Sequence, residues 1–141
     1  MSFSDKNSLE PVAALQNSTI ATDTDTDGII IDTQNARDVN FLLQCHAFTD
    51  GTYTPVIRTS SDSGMSGATT IAAADINGDT YNTALVPAAD EVFHYSINRT
   101  AHERYVQLRV TSASTTSGAD LSAVAVLGSL SKSVASSVNP S

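Results

Sequence analysis

The stretch "ARDVNFLLQCHAFTDGTYTPVIRTS", residues 36–60, decides the fold. Val39, Phe41, Leu43, Cys45 and Ala47 fall on one parity, while Asn40, Gln44 and His46 fall on the other. Side chains of a strand alternate between faces, so this period of two marks a half-buried strand. Asp50 and Gly51 then supply a turn, and "YTPVIRTSSDSG" (53–64) reads as the next strand. An Asp-Gly pair between two alternating runs is a hairpin signal. Pro55 lacks an N–H, which places its strand at an edge or a bulge.

The same reading extends in both directions. Downstream, 61–67 is turn material, and 72–90 holds an Asn77-Gly78-Asp79 turn between short strands. "EVFHYSIN" (91–98) is another strand. In "RTAHERYVQLRVTSAS" (99–114), Val106, Leu108 and Val110 point inward and Gln107 and Arg109 outward. A turn at Ser117 and Gly118 leads to a last strand, "LSAVAVLGSL" (121–130). Upstream, "GIIID" (28–32) is a short apolar run of strand type. Seven or eight short strands with turns between them predict an all-β protein, an antiparallel β-sandwich of jelly-roll or immunoglobulin-like type. The sandwich is expected over residues 21–130. Residues 1–20 read as a flexible N-terminal arm, with Ser8 capping a short helix, and 131–141 as a flexible C-terminal tail.

Totals narrow the function. The 141 residues suffice for one core. Only 16% are charged, the formal net charge is −8, and tryptophan is absent. So acidic a chain is poorly suited to a nucleic-acid backbone or an anionic membrane, and suits a basic protein surface. The single cysteine, Cys45, excludes an internal disulfide. The start "MSFSDKNSLEPVAALQ" lacks the basic, then apolar, character of a secretion signal, and no run approaches the roughly 20 apolar residues of a membrane span. Synthesis in the cytosol is expected.

One motif raises a chemical question. In "TDTDTDGIIID" (22–32), Asp23, Asp25 and Asp27 occupy the first, third and fifth positions of a calcium loop and Gly28 the sixth. The twelfth position is Gln34 rather than a bidentate glutamate, and no flanking helices are evident. The alternatives are a calcium site on the three aspartates or an exposed acidic turn. Elsewhere, His46, His94 and His102 lack metal-ligand spacing. Cys45 and His46 are strand neighbours and face opposite ways, which prevents a catalytic dyad. No Gly-x-Ser-x-Gly elbow or phosphate loop is present, so the chain reads as non-enzymatic. Phe48, Tyr53 and Tyr81 could stack on sugars, but read more simply as core or turn packing.

"FTDGTYTPVIRTSSDSG" (48–64) and "ERYVQLRVTSASTTSGADLSAVAVLG" (103–128) together resemble a family of small structural proteins encoded among the head genes of tailed bacteriophages. The resemblance runs from Val39 to Gly128 with a gap through 72–90. It implies a virion component made in the host cytoplasm: a decoration or cement protein on the outer capsid surface. Such a protein would be a homotrimer whose partner is the major capsid protein, bridging neighbouring capsomers without a cofactor, nucleic acid or membrane. Candidate interface residues are then Phe3, Leu9, Val12 and Leu15 on the arm, with Leu42 and Phe48 on the solvent side of the sheet. A tail or head-tail joining component, or a carbohydrate- or calcium-binding module, is the alternative.

Overall fold

A computed structural model describes residues 9–98 and 100–128. Ten strands and one 3-10 turn (Ala73–Asp75) are present among them. Six strands are long: β1 (Glu10–Ile20), β4 (Asp38–Phe48), β5 (Thr52–Ser60), β8 (Val92–Ile97), β9 (Tyr105–Ala113) and β10 (Ala119–Gly128). Four are short: β2 (Asp25–Asp27), β3 (Ile31–Asp32), β6 (Thr69–Thr70) and β7 (Ile76–Gly78). They form two antiparallel sheets. Sheet A runs β1-β10-β4-β8-β7, and sheet B runs β2-β9-β5-β6 with β3 also on β9.

The pairing identifies the sandwich as a jelly roll. β2 and β3 lie on the same edge of β9, opposite Thr111–Arg109 and Val106–Tyr105, and act as one interrupted strand. If β7 is taken as an addition beyond β8, eight strands remain. In chain order the first pairs with the last, the second with the seventh, the third with the sixth, and the fourth with the fifth. A long antiparallel ribbon wrapped into two sheets has this nesting, the double Greek key of a jelly roll. The immunoglobulin-like alternative is thereby removed.

Two expectations change. The Asp50-Gly51 turn does not close a hairpin: β4 belongs to sheet A and β5 to sheet B. Both edges of β4 are already occupied, by β10 and β8, while β5 pairs with β9 along its whole length. The turn is a corner between sheets. Gly51 has φ +99°, and the Asp50 carboxylate accepts backbone N–H groups of Thr116, Ser117 and Gly118 across the β9–β10 corner. The second change concerns the arm. Glu10–Ile20 is a sheet strand rather than a helix or a detached arm, with Ala14, Leu15 and Ile20 in the core. Pairing with the full length of β10 supplies the tertiary partner that a short isolated helix lacks. The N-terminal part of the sandwich thus begins at Glu10, eleven residues earlier than the expected boundary at 21. The expected tail, 131–141, lies outside the described residues.

The core sits between the sheets. Val39, Phe41, Leu43 and Cys45 of β4 face inward, as do Val106, Leu108 and Val110 of β9. On β10 small residues stand beside large ones, with Ala123 next to Leu43 and Ala125 next to Phe41. This alternation lets adjacent strands fill a layer without voids. Segment 71–85 has little regular structure, yet it covers the outer edge of β5. Ile71 N–H donates to Ile57 O (2.9 Å), Asn82 N–H to Pro55 O (3.0 Å), and Tyr53 and Leu85 exchange two bonds. Pro55 therefore stands on the side of β5 where no ladder donor is required, in keeping with its sequence reading. The Tyr81 hydroxyl takes the Ile57 N–H (2.9 Å) and donates to Ile71 O (2.8 Å), which locks the cover in place.

Candidate interaction surface

"TDTDTDGIIID" is the first site to locate. It forms the split edge strand of sheet B. Asp25 and Asp27 lie on its outer face opposite Thr111 and Arg109. Asp27 forms a two-pronged pair with Arg109, at 2.6 Å to Nε and 3.2 Å to Nη2, and Asp25 accepts Thr111 Oγ1 at 2.7 Å with Arg109 at 3.6 Å. The guanidinium thus lies between two carboxylates that would otherwise repel, and its pKa is raised above its usual value, first by the bond to Asp27. Asp23 turns away to the β9–β10 corner, where it accepts the Thr115 N–H (2.9 Å) and hydroxyl (2.7 Å). These bonds hold its carboxyl below the ordinary carboxylate range. Asp25 and Asp27 share Arg109 while Asp23 is held apart at the corner, and among the described residues no group of three His, Cys, Asp or Glu is placed to share a metal ion.

Gly28 has a steric role in this stretch. A Cβ there would lie 2.1 Å from the Ala14 carbonyl oxygen, so the backbone approaches β1 only because the side chain is absent. Gly28 N–H donates to Leu108 O (2.7 Å) in sheet B, and Ile29 N–H donates to Ala14 O (2.8 Å) in sheet A. The two residues stitch the open sides of the sheets together, and Gln107 closes the stitch with a bond to Gly28 O (2.9 Å).

The groups that could do covalent chemistry are dispersed. Cys45 is buried, and burial, followed by the nearby charges of Glu91, Asp120 and Asp90, pushes its thiol up and away from the reactive thiolate. His46 points to the other face and bonds Ser122 Oγ (2.6 Å). His94 meets Asn40 (3.0 Å) across the strands, and His102 sits near Thr33 at the opposite end. The suggested sugar platform is absent as such: Tyr53 and Tyr81 are buried, and Phe48 is half-buried against the edge of the Tyr53 ring (6.4 Å).

The proposed interface residues separate. Leu15 is 5% exposed and is a core residue, because the bulges of β1 turn it inward beside Ala123. Val12 is half-buried on the core, and Leu9 is 54% exposed. Phe3 lies outside the described residues. Leu42 is exposed, at 37%, on the outer face of sheet A.

That outer face has a consistent composition. In register across four strands, one row reads Ala13, Val124, Leu42 and His94. The row on one side reads Pro11, Val126, Asn40 and Ser96, and the row on the other Ser122, Gln44 and Val92. None of these is Asp, Glu, Lys or Arg. Val124 and Val92 are 41% and 51% exposed, so the aliphatic groups are available to a partner. Sequence alternation identified Leu42 and Phe48, of which Phe48 is half-buried against Tyr53. Val92 and Val124 were missed because their relation to Leu42 is one of cross-strand register, which alternation does not encode.

At one end of this face lie the β1–β2, β4–β5 and β9–β10 corners and the loop before β8. Their residues (21–24, 49–51, 86–91 and 114–118) include Asp23, Asp50, Asp90 and Glu91 but no Lys or Arg. Asp120, at the start of β10, adjoins them and accepts the Thr19 hydroxyl.

Solved structures of similar fold place these features in context. The SPBc2 prophage-derived protein YomS superposes with a TM-score of 0.52 at 9% identity, covering 84% of this chain and 91% of that one. A chain from the structure of infectious bursal disease virus, Gx strain, superposes with a TM-score of 0.51 at 13% identity. That alignment covers 86% of this chain and 33% of the viral one, so the present sandwich spans about a third of its length. No protein-family model matches the chain, and no curated protein matches it in sequence.

Proposed function

We propose that this chain is a non-enzymatic structural component of a phage virion: a decoration or cement protein that binds the outer surface of the head. The nested jelly-roll pairing carries this reading. Jelly rolls recur in viral capsids, and the solved structures sharing this fold include a prophage-derived protein and a chain of a virus. The step from fold to role is an analogy between architectures. The resemblance of residues 48–64 and 103–128 to phage head-associated proteins supports it independently. Cement action requires only binding, and copies joined as a small homo-oligomer such as a trimer would multiply weak contacts with the major capsid protein through effective concentration.

The test is co-sedimentation of the purified chain with heads of the tailed phage that encodes it. Saturable binding at a fixed ratio to the capsid protein is the expected result. Absence of binding to heads, with binding to tails or connectors instead, would move the protein to the tail or head-tail junction.

A further inference from the structure

We infer that the outer face of sheet A, extended by the acidic corner end beside it, is the docking side, and that its partner presents aliphatic groups flanked by lysine or arginine. This rests on the capsid reading and adds to it an orientation and a chemistry for the surface that receives the chain.

Three observations carry it. The first is the row that places Leu42 beside Val124, both exposed, with Val92 one row away, in central rows free of formal charge, Asp38 and Asp120 standing at the two ends of the face. Burying such a face leaves no ion unpaired, whereas any Asp or Arg in its centre would have to be desolvated. The second is size. Strands about 4.8 Å apart rising about 3.3 Å per residue, full-length in β1, β10 and β4 and shorter in β8, make a face of about 600 Å² with its ends included, hence about 1,200 Å² buried over both partners, the lower end of specific interfaces. The third is charge. Asp90, Glu91 and Asp120 border the face at the corner end, and the corners carry no lysine or arginine. A second copy of this chain on the same face would bring one acidic border against another's apolar or acidic surface, in a molecule of net charge −8. A basic-rimmed partner meets the face without that repulsion. Sheet B is the poorer candidate, because Arg109 is already paired with Asp25 and Asp27, and Arg104 with Asp32 (2.8 Å).

The experiment uses the full chain and purified heads lacking it, with affinity measured by co-sedimentation across a salt series. Leu42→Lys and Val124→Lys are each expected to weaken binding by at least about tenfold, as central interface truncations do. Val56→Lys, on the outer face of sheet B, should stay within about twofold of wild type. The paired variant Glu91→Gln with Asp120→Asn should bind more weakly and with a flatter salt dependence. Thermal melting of every variant checks folding, and Leu42→Ser replaces Leu42→Lys if the lysine variant melts early. Unchanged binding by folded Leu42 and Val124 variants, or a loss confined to Val56→Lys, would overturn the docking face while leaving the capsid reading intact. Wild-type affinity that rises with salt would overturn the basic-rimmed partner. A wild-type chain that does not bind heads would overturn both.

Discussion

The two outer faces of the sandwich are built by the same alternation and present opposite surfaces. On sheet B the outward acids are paired, Asp27 and Asp25 with Arg109 and Asp32 with Arg104, while Gln107, expected outward, is buried on its bond to Gly28. On sheet A the central outward rows are valine, leucine, alanine, proline, asparagine, serine, glutamine and one histidine, His94. Solubility does not require this asymmetry, since sheet B shows how the same fold is finished toward water. The contrast teaches that a strand's outward residues carry information separate from the inward ones that set the fold. Five substitutions sharpen or break the contrast.

The largest effect belongs to the stitch that both sheets share. Gly28→Ala places a Cβ 2.1 Å from the Ala14 carbonyl, so the Gly28–Leu108 and Ile29–Ala14 bonds cannot both persist. A loss of about 3 kcal/mol or more is expected from chemical denaturation, as backbone clashes and broken buried bonds rank among the most damaging single changes. Next is a comparison of chain neighbours. Leu43→Ala, at a side chain 3% exposed, should destabilise by about 2–5 kcal/mol, and Leu42→Ala, one residue away, by under about 1 kcal/mol. Equal effects at the two positions would break the inward–outward contrast outright.

Acid should loosen the corners. Asp50 and Asp23 have carboxyls lowered by bonds from the β9–β10 corner, first from Thr116 N–H and Thr115 N–H respectively. A depressed folded-state value means these groups stabilise the fold above the unfolded carboxylate value of about 3.9, and the contribution fades as pH falls through the folded values. The melting temperature should therefore drop below about pH 4, and Asp50→Asn should show a shallower drop than wild type. The smallest effect is expected on sheet B. Arg109→Ala removes a solvent-facing pair and should cost about 0.5–1 kcal/mol, less in high salt. A salt-insensitive loss of several kcal/mol would mean that the sheet B face is held by more than surface ion pairs.

The parts of this fold set by local alternation were legible in the sequence. Val106, Leu108 and Val110 face inward, and Pro55 stands at an edge-facing position, as their spacing and chemistry require. What escaped was set by partners distant in sequence. Asp50-Gly51 has the chemistry of a hairpin turn, but whether the chain returns to its own sheet or crosses to the other depends on which edges are already taken. β1 read as a short helix because "SLEPVAALQN" has weak periodicity and its strand conformation comes from β10, about a hundred residues away in sequence. The apolar face of sheet A was only partly legible for the same reason: alternation pointed to Leu42 and Phe48, while the row that joins Leu42 to Val124 exists only once β10 is placed beside β4.

That placement of β10 bears on how the chain matures. Ala119–Gly128 is the last described strand, yet it sits inside sheet A with β1 on one edge and β4 on the other. During synthesis the first described strand waits for the last: β10 begins 99 residues after β1 ends and 71 after β4 ends, and until then β1 has no ladder partner and β4 keeps an open edge. The nascent chain therefore passes through a stage in which apolar strands of sheet A are exposed to neighbouring nascent chains, and closure is one late, non-local event. The rate at which β10 docks between β1 and β4 then sets the yield of folded chain.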